Sequence, residues 1–286
     1  MNSTHRSFLK TTLTVLVVSF LIAGCSTRFV YNQLDWLAPW YLDDYVTIEN
    51  YQQDSFTSSL DSVLDWHRAT QLTRYADFLA TLSNDVEGTV SETKLAKQVL
   101  ELDDFIETLF TQFGTEFAPL IADMNPQQQA ELIENLNDKN QEYQEEKVLI
   151  GQAESKKRSK EKVTDFLDDW LDGLKPNQAQ MINQWSADIH WLTPDFYQNR
   201  QAWQAHLQDV FSEKGTNKTE RIADMFKDRR QFWSDSLTNK FSHNQQVTSA
   251  FVVNLMNSLD SNQKQSLLKN LKQYEADFRL LASQAD

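Results

Sequence analysis

The sequence predicts an all-α protein, an irregular multi-helix bundle with a long polar helical arm. Three observations carry that prediction. Apolar residues recur every three or four positions over long stretches, no apolar–polar alternation persists, and the 286 residues include only six glycines and five prolines. Each apolar stripe is one-sided, so each helix must bury its face against others, and a bundle satisfies them together.

The chain begins with His5, Arg6 and Lys10, then the apolar run Leu13 to Ile22, then Ala23-Gly24-Cys25-Ser26. A basic start, roughly 7–15 apolar residues and a small-residue junction describe a secretory signal. Ile22-Ala23-Gly24-Cys25 resembles the bacterial lipobox, where cleavage precedes a cysteine whose thiol carries lipid. The resemblance implies a cleaved signal peptide over 1–24 and acyl chains such as palmitate on Cys25. Ser26 stands where inner-membrane retention in enteric bacteria uses Asp. The implied address is therefore the periplasmic face of the outer membrane of a Gram-negative bacterium. Cys25 is the only cysteine, so no internal disulfide forms and the fold stands on packing. The formal charge is −14, and loss of Arg6 and Lys10 makes the mature body more acidic still. Such a body is repelled by phosphate backbones, which argues against nucleic-acid binding, and its attachment must rest on acyl chains more than on charge.

Residues 25–46 form a lipid-proximal arm rich in rings: Phe29, Tyr31, Trp36, Trp40, Tyr41 and Tyr45. These rings either sit at headgroup level or fold back onto the body, and Asp35, Asp43 and Asp44 favour the second beside anionic lipid. A helical half is expected over 47–150 and another over 151–286. The first carries Phe56, Leu60, Val63, Leu64 and His67, a break near Gln71-Leu72-Thr73, a stripe from Leu72 to Leu82, and a loop from Ser83 to Gly88. A long stripe follows at Leu95, Val99, Leu102, Ile106, Leu109, Phe113, Phe117 and Leu120. Between Asn125 and Lys162 the chain turns polar, which predicts an arm, or two helices meeting near Gly151, projecting from the body. Two further stripes, from Val163 to Leu174 and from Leu267 to Leu281, belong to the second half.

Three helix starts share one wording: Met124-Asn125-Pro126-Gln127-Gln128, Leu174-Lys175-Pro176-Asn177-Gln178 and Leu259-Asp260-Ser261-Asn262-Gln263. Asn125 and Asp260 can cap first-turn amides while Gln128 and Gln263 reach back three residues, and Pro126 and Pro176 suit a first helical position. The wording resembles the Leu-Thr-x-x-Gln repeat of Spy/CpxP-type periplasmic chaperones, although none of the three has Thr in second place. A fuller resemblance rests on Arg28, Tyr31-Asn32-Gln33-Leu34-Asp35-Trp36, Leu42-Asp43-Asp44-Tyr45, Trp66-His67-Arg68 and Tyr75-Ala76. Together they resemble an uncharacterised family of proteobacterial lipoproteins with a domain of unknown function. That family implies an anchor and a helical body, and no activity.

Trp66, His67 and Arg68 are the candidate pocket. His67 falls on the stripe after Leu60 and Leu64, where a buried imidazole can serve as a base or be a hydrogen-bonded core residue. Asp65 lies three residues before Arg68, close enough on a helix for an ion pair. Lys156, Lys157, Arg158, Lys160 and Lys162 form a candidate patch for an acidic partner, or a face neutralised by Glu142, Glu145, Glu146, Glu154 and Glu161. Lys227, Arg229, Arg230, Phe232 and Trp233, with Trp185, Trp191 and Trp203 upstream, suit either stacking on a ligand or helix packing. His190, His206 and His243 stand singly, so no metal or other cofactor is expected, and Asp103-Asp104 and Asp168-Asp169 point apart on a helix. No catalytic signature is present. The expected role is binding, as a chaperone-like protein or scaffold for unfolded or envelope proteins. The alternatives are a cell-wall hydrolase or modifying enzyme using His67, and a purely structural envelope factor.

Overall fold

The computed structural model describes residues 26–213, 215 and 217–284. Residues 1–24, expected to be a signal peptide ending in the lipobox residues Ile22, Ala23 and Gly24, and Cys25 lie outside the described residues. Among the described residues all regular structure is helical. The arm comprises α1 (Ser26–Tyr31) and α2 (Leu34–Leu42). Helix α3 (Gln53–Trp66) runs through a π turn (His67–Gln71) into α4 (Leu72–Glu87). Helix α5 (Glu92–Ala122) is the longest, about 46 Å at 1.5 Å per residue. Helix α6 (Pro126–Tyr143) passes through a second π turn (Gln144–Val148) and a bend at Gly151, where φ is +79°, into α7 (Gly151–Leu171). Helices α8 (Pro176–Asp188), α9 (Thr193–Ser212), α10 (Lys218–Lys227), α11 (Asp235–Asn257) and α12 (Ser261–Ala282) follow.

Two sequence expectations change here. The break near Gln71 is a widened turn, because one extra residue is absorbed without leaving the helix. The Leu72 N–H reaches back five residues to the His67 carbonyl, and the Thr70 hydroxyl donates to the Trp66 carbonyl at 2.6 Å. The expected loop at Ser83 is the last part of α4, where the Ser83 hydroxyl donates back to the Leu79 carbonyl at 2.9 Å and the chain leaves the helix only at Gly88.

The main apolar cluster joins Val86 of α4, Leu167 and Leu171 of α7, Ile182 of α8, Phe251 and Leu255 of α11, Leu259, and Leu267 and Leu271 of α12. A second joins Ala118 of α5, Leu207 and Val210 of α9, and Ile222 and Met225 of α10, backed by Leu132, Ile133 and Leu136 of α6. A third, smaller one holds Leu60 and Val63 of α3 with Phe117 of α5, and Ala38 of the arm packs on it. The two larger clusters each draw on residues from both sides of Gly151, so packing crosses that turn. Helices α5 and α10 approach closely at Gly114, where an added Cβ would lie 2.7 Å from the Phe226 Cβ and 3.1 Å from the Ala223 carbonyl. The polar helices meet at Gly151 as the sequence suggests. Rather than standing clear, α6 lies along α9, where Leu132, Ile133 and Leu136 back the Leu207 and Val210 cluster and Asn137 and Asn140 hydrogen-bond to Gln204.

The repeated wording at helix starts has a tertiary purpose. The Oε1 atoms of Gln128, Gln178 and Gln263 accept from the backbone N–H three residues earlier, at 3.1, 2.9 and 3.3 Å. A fourth glutamine, Gln52, does the same for Glu49 at 3.1 Å. These four side chains are buried and meet in pairs. Gln52 and Gln128 exchange amide hydrogen bonds of 3.2 and 2.6 Å, and Gln178 and Gln263 exchange bonds of 2.9 and 2.8 Å. Each pair clasps two helix starts together without charge.

Candidate functional site

The π turn places His67 under the arm. Tyr31 of α1 puts its hydroxyl 2.9 Å from His67 Nδ1, and the two rings stack at 5.7 Å. Tyr75 meets the imidazole edge-on at 5.4 Å, and Trp66 stands 6.2 Å away. Arg68 lies over the Tyr31 ring at 5.3 Å instead of pairing with Asp65. Arg28, also on α1, donates to the buried Asp277 of α12 at 3.0 Å. The arm is therefore folded back onto the body, although Phe29, Trp36 and Tyr41 remain exposed.

Burial pushes the His67 imidazole down to about 4 and the Tyr31 phenol up to about 12. At neutral pH the imidazole is uncharged and a weak base, poorly matched to proton abstraction. The arrangement is well suited to holding the arm in place, since an aromatic enclosure and one hydrogen bond fix the ring.

The five cations of the expected patch lie on α7. Lys156 donates to the Ala187 carbonyl near the end of α8 at 2.9 Å, and Arg158 pairs with Glu154 at 2.9 Å. Lys157 lies between Glu154 and Glu161, at 3.9 and 4.0 Å. The hydrogen bond from Arg158 lowers the Glu154 pKa. These contacts lace the helix to itself and to α8.

Of the cationic and aromatic residues near 230, Lys227 stays exposed while Arg229, Arg230, Phe232 and Trp233 are partly buried. Arg229 and Arg230 both bind Asp103 of α5, and Arg230 lies 5.3 Å over Trp233. Trp185 donates to Thr248 at 3.0 Å and packs on Phe251, and Trp203 packs on Phe226. His190 and His243, separate in sequence, bring their rings to 4.2 Å, a proximity created by folding alone. Among the described residues no three His, Cys, Asp or Glu side chains are grouped to hold a metal ion.

An apolar cleft of about 230 Å³ opens between α4, α5, α11 and α12. Phe78, Val99, Leu102, Val252, Met256 and Leu271 are among its walls. Asp85 sits at its polar rim, accepting from Gln98 at 2.5 Å and from Lys94 at 2.8 Å. Leu102 leads out of the cleft onto a ridge of α5, where Leu102, Ile106, Leu109 and Phe113 remain 46, 41, 36 and 39% exposed. Their spacing reads as a core stripe, yet only the Phe117 end of it is sealed. Periodicity names the apolar face of a helix and says nothing of what covers it.

No curated protein and no solved structure matches this chain. The model of a family of unknown function (DUF6279) matches residues 44–238, more than half of the chain, and the protein belongs to that family.

Proposed function

We propose that this protein is a lipid-anchored periplasmic binding protein, held at the periplasmic face of the outer membrane by acyl chains on Cys25. Its body receives apolar segments of unfolded or envelope proteins, as a chaperone or scaffold. The observation that carries this reading is the cleft beside α5 and the ridge Leu102, Ile106, Leu109 and Phe113 that continues from it. Contiguous exposed apolar surface with a polar rim is characteristic of interaction sites, and anchors at helical spacing suit a partner helix or apolar segment laid alongside. The acidic body keeps other surfaces away from anionic lipid and nucleic acid. An enzyme centred on His67 has less support, because the imidazole is enclosed by Tyr31 and Tyr75 and held neutral.

The full chain in detergent is expected to slow aggregation of a chemically denatured model protein. Replacing Leu102→Asp and Ile106→Asp together should abolish that protection while leaving thermal unfolding unchanged. Equal protection by the variant, or none by the wild type, would refute the assignment to this surface. The anchor is tested separately by metabolic labelling with palmitate, which should mark the wild type and leave Cys25→Ser unlabelled.

A further inference from the structure

A second cleft, between α6 and α9, has a different chemistry and is independent of the proposed chaperone surface. It opens to water at the second π turn and encloses about 440 Å³. Seven of its eleven lining residues carry carboxamides, which sets its character. Each carboxamide offers two N–H donors and a carbonyl acceptor on one planar group.

Its floor is fixed. The buried Asn140 donates to the buried Gln204 at 2.6 Å, Gln204 donates to Asn137 at 2.6 Å, and Arg200 donates to Asn140 at 2.8 Å. Groups already hydrogen-bonded in place lose little freedom when a ligand arrives. Gln141, Gln201 and Gln208 line the more exposed rim, while Gln144 begins the π turn, a geometry that recurs at functional sites. Tyr197 forms a wall. Its ring lies parallel to Tyr143, with centroids 6.5 Å apart, and Arg200 covers Tyr143 from 5.2 Å. Glu145 is the only charged lining residue, and its carboxylate accepts from Gln141 at 2.9 Å.

These features select a ligand class. The lining has no cation to hold an anion and too little apolar surface for a hydrophobic ligand. An extended peptide needs pockets for alternate side chains, whereas apolar wall is confined to Tyr197, Leu149 and Ala205. Paired donors and acceptors complement vicinal hydroxyls, and an aromatic face complements the C–H face of a sugar ring. We infer that the α6–α9 cleft binds a neutral saccharide, a hexose or N-acetylhexosamine unit of a glycan.

Saturation-transfer NMR on the full chain in detergent tests this, with the N-acetylglucosamine trimer, maltotriose and a capped tetra-alanine peptide as separate probes. Transfer to at least one saccharide is expected. A Gln201→Ala/Gln208→Ala variant should bind it at least about tenfold more weakly, as loss of hydrogen bonds of roughly 1 kcal/mol each implies. Both positions are exposed, so thermal unfolding should be unchanged. If the double variant unfolds early, Gln201→Glu replaces it with the same expected loss. Absence of transfer to both saccharides at millimolar concentration, undiminished binding by the variant, or variant-sensitive transfer to the peptide alone would each overturn the assignment.

Discussion

At Nδ1 of His67 the Tyr31 hydroxyl stands 2.9 Å away, and the enclosure leaves a mark on stability as well as on structure. The imidazole has its pKa lowered to about 4, from an ordinary value of 6.5, because burial penalises its charge. The unfolded chain therefore takes up this proton first as pH falls. Stability from the neutral ring is complete above about 6.5 and is lost as pH falls towards 4, with a ceiling of about 3 kcal/mol. Tyr31, pushed up to about 12, acts at the other limb: the unfolded phenol ionises first, so stability declines as pH rises above about 10. Urea unfolding is expected to lose more stability between pH 7 and pH 5 in the wild type than in His67→Phe. Parallel declines would show that His67 does not set the acid limb. Burial of His67 was readable from its position after Leu60 and Leu64. Its neighbour Tyr31 was not, because 36 residues separate the two and only the docked arm joins them.

The glutamine clasps belong to the scale of helices. Gln178→Ala leaves the Gln263 amide facing its partner's place, inside protein, with fewer hydrogen bonds, and should cost about 1–3 kcal/mol in urea unfolding. Gln178→Leu/Gln263→Leu should cost less than the sum of the single replacements, since neither partner is then left unsatisfied. Strict additivity in that cycle would mean that the two amides do not support one another. The capping at Asn125 and Asp260 was legible because donor, acceptor and spacing all lie within four residues. The pairing was not legible, because local spacing cannot say which two helix starts will meet. The Gln52 start escaped notice for a local reason: it opens on a 3₁₀ turn, Asn50–Gln52, before α3 establishes its period. The polar stretch after Asn125 was likewise clear as helix and unclear as packing. Its partner α9 meets it in two ways: Leu207 and Val210 share a cluster with Leu132, Ile133 and Leu136, and hydrogen bonds join Asn137 and Asn140 to Gln204.

Across the whole molecule, the all-α class followed from periodicity, whereas the assembly of two large apolar clusters from both halves did not. Contacts such as α4 with α12 and α5 with α10 join helices far apart in the chain, and no stripe records the identity of a distant partner. The arm adds a consequence of its own. Arg28 is bonded to Asp277 and Tyr31 to His67, so the chain is already secured to the body within a few residues of Cys25. Arg28→Ala combined with Tyr31→Ala should free the segment as far as the buried Val46, and limited proteolysis should then cut between Phe29 and Tyr45 sooner than in the wild type. Unaltered digestion would mean that other contacts hold the segment. If Cys25 carries the proposed lipid, the docked form allows at most about 10 Å between bilayer and first fastening, and release to Val46 would lengthen it to about 70 Å at full extension. The same protein would thus have a short mooring and a long one, and the Arg28–Asp277 knot would decide how far from the membrane the proposed apolar segments could be met.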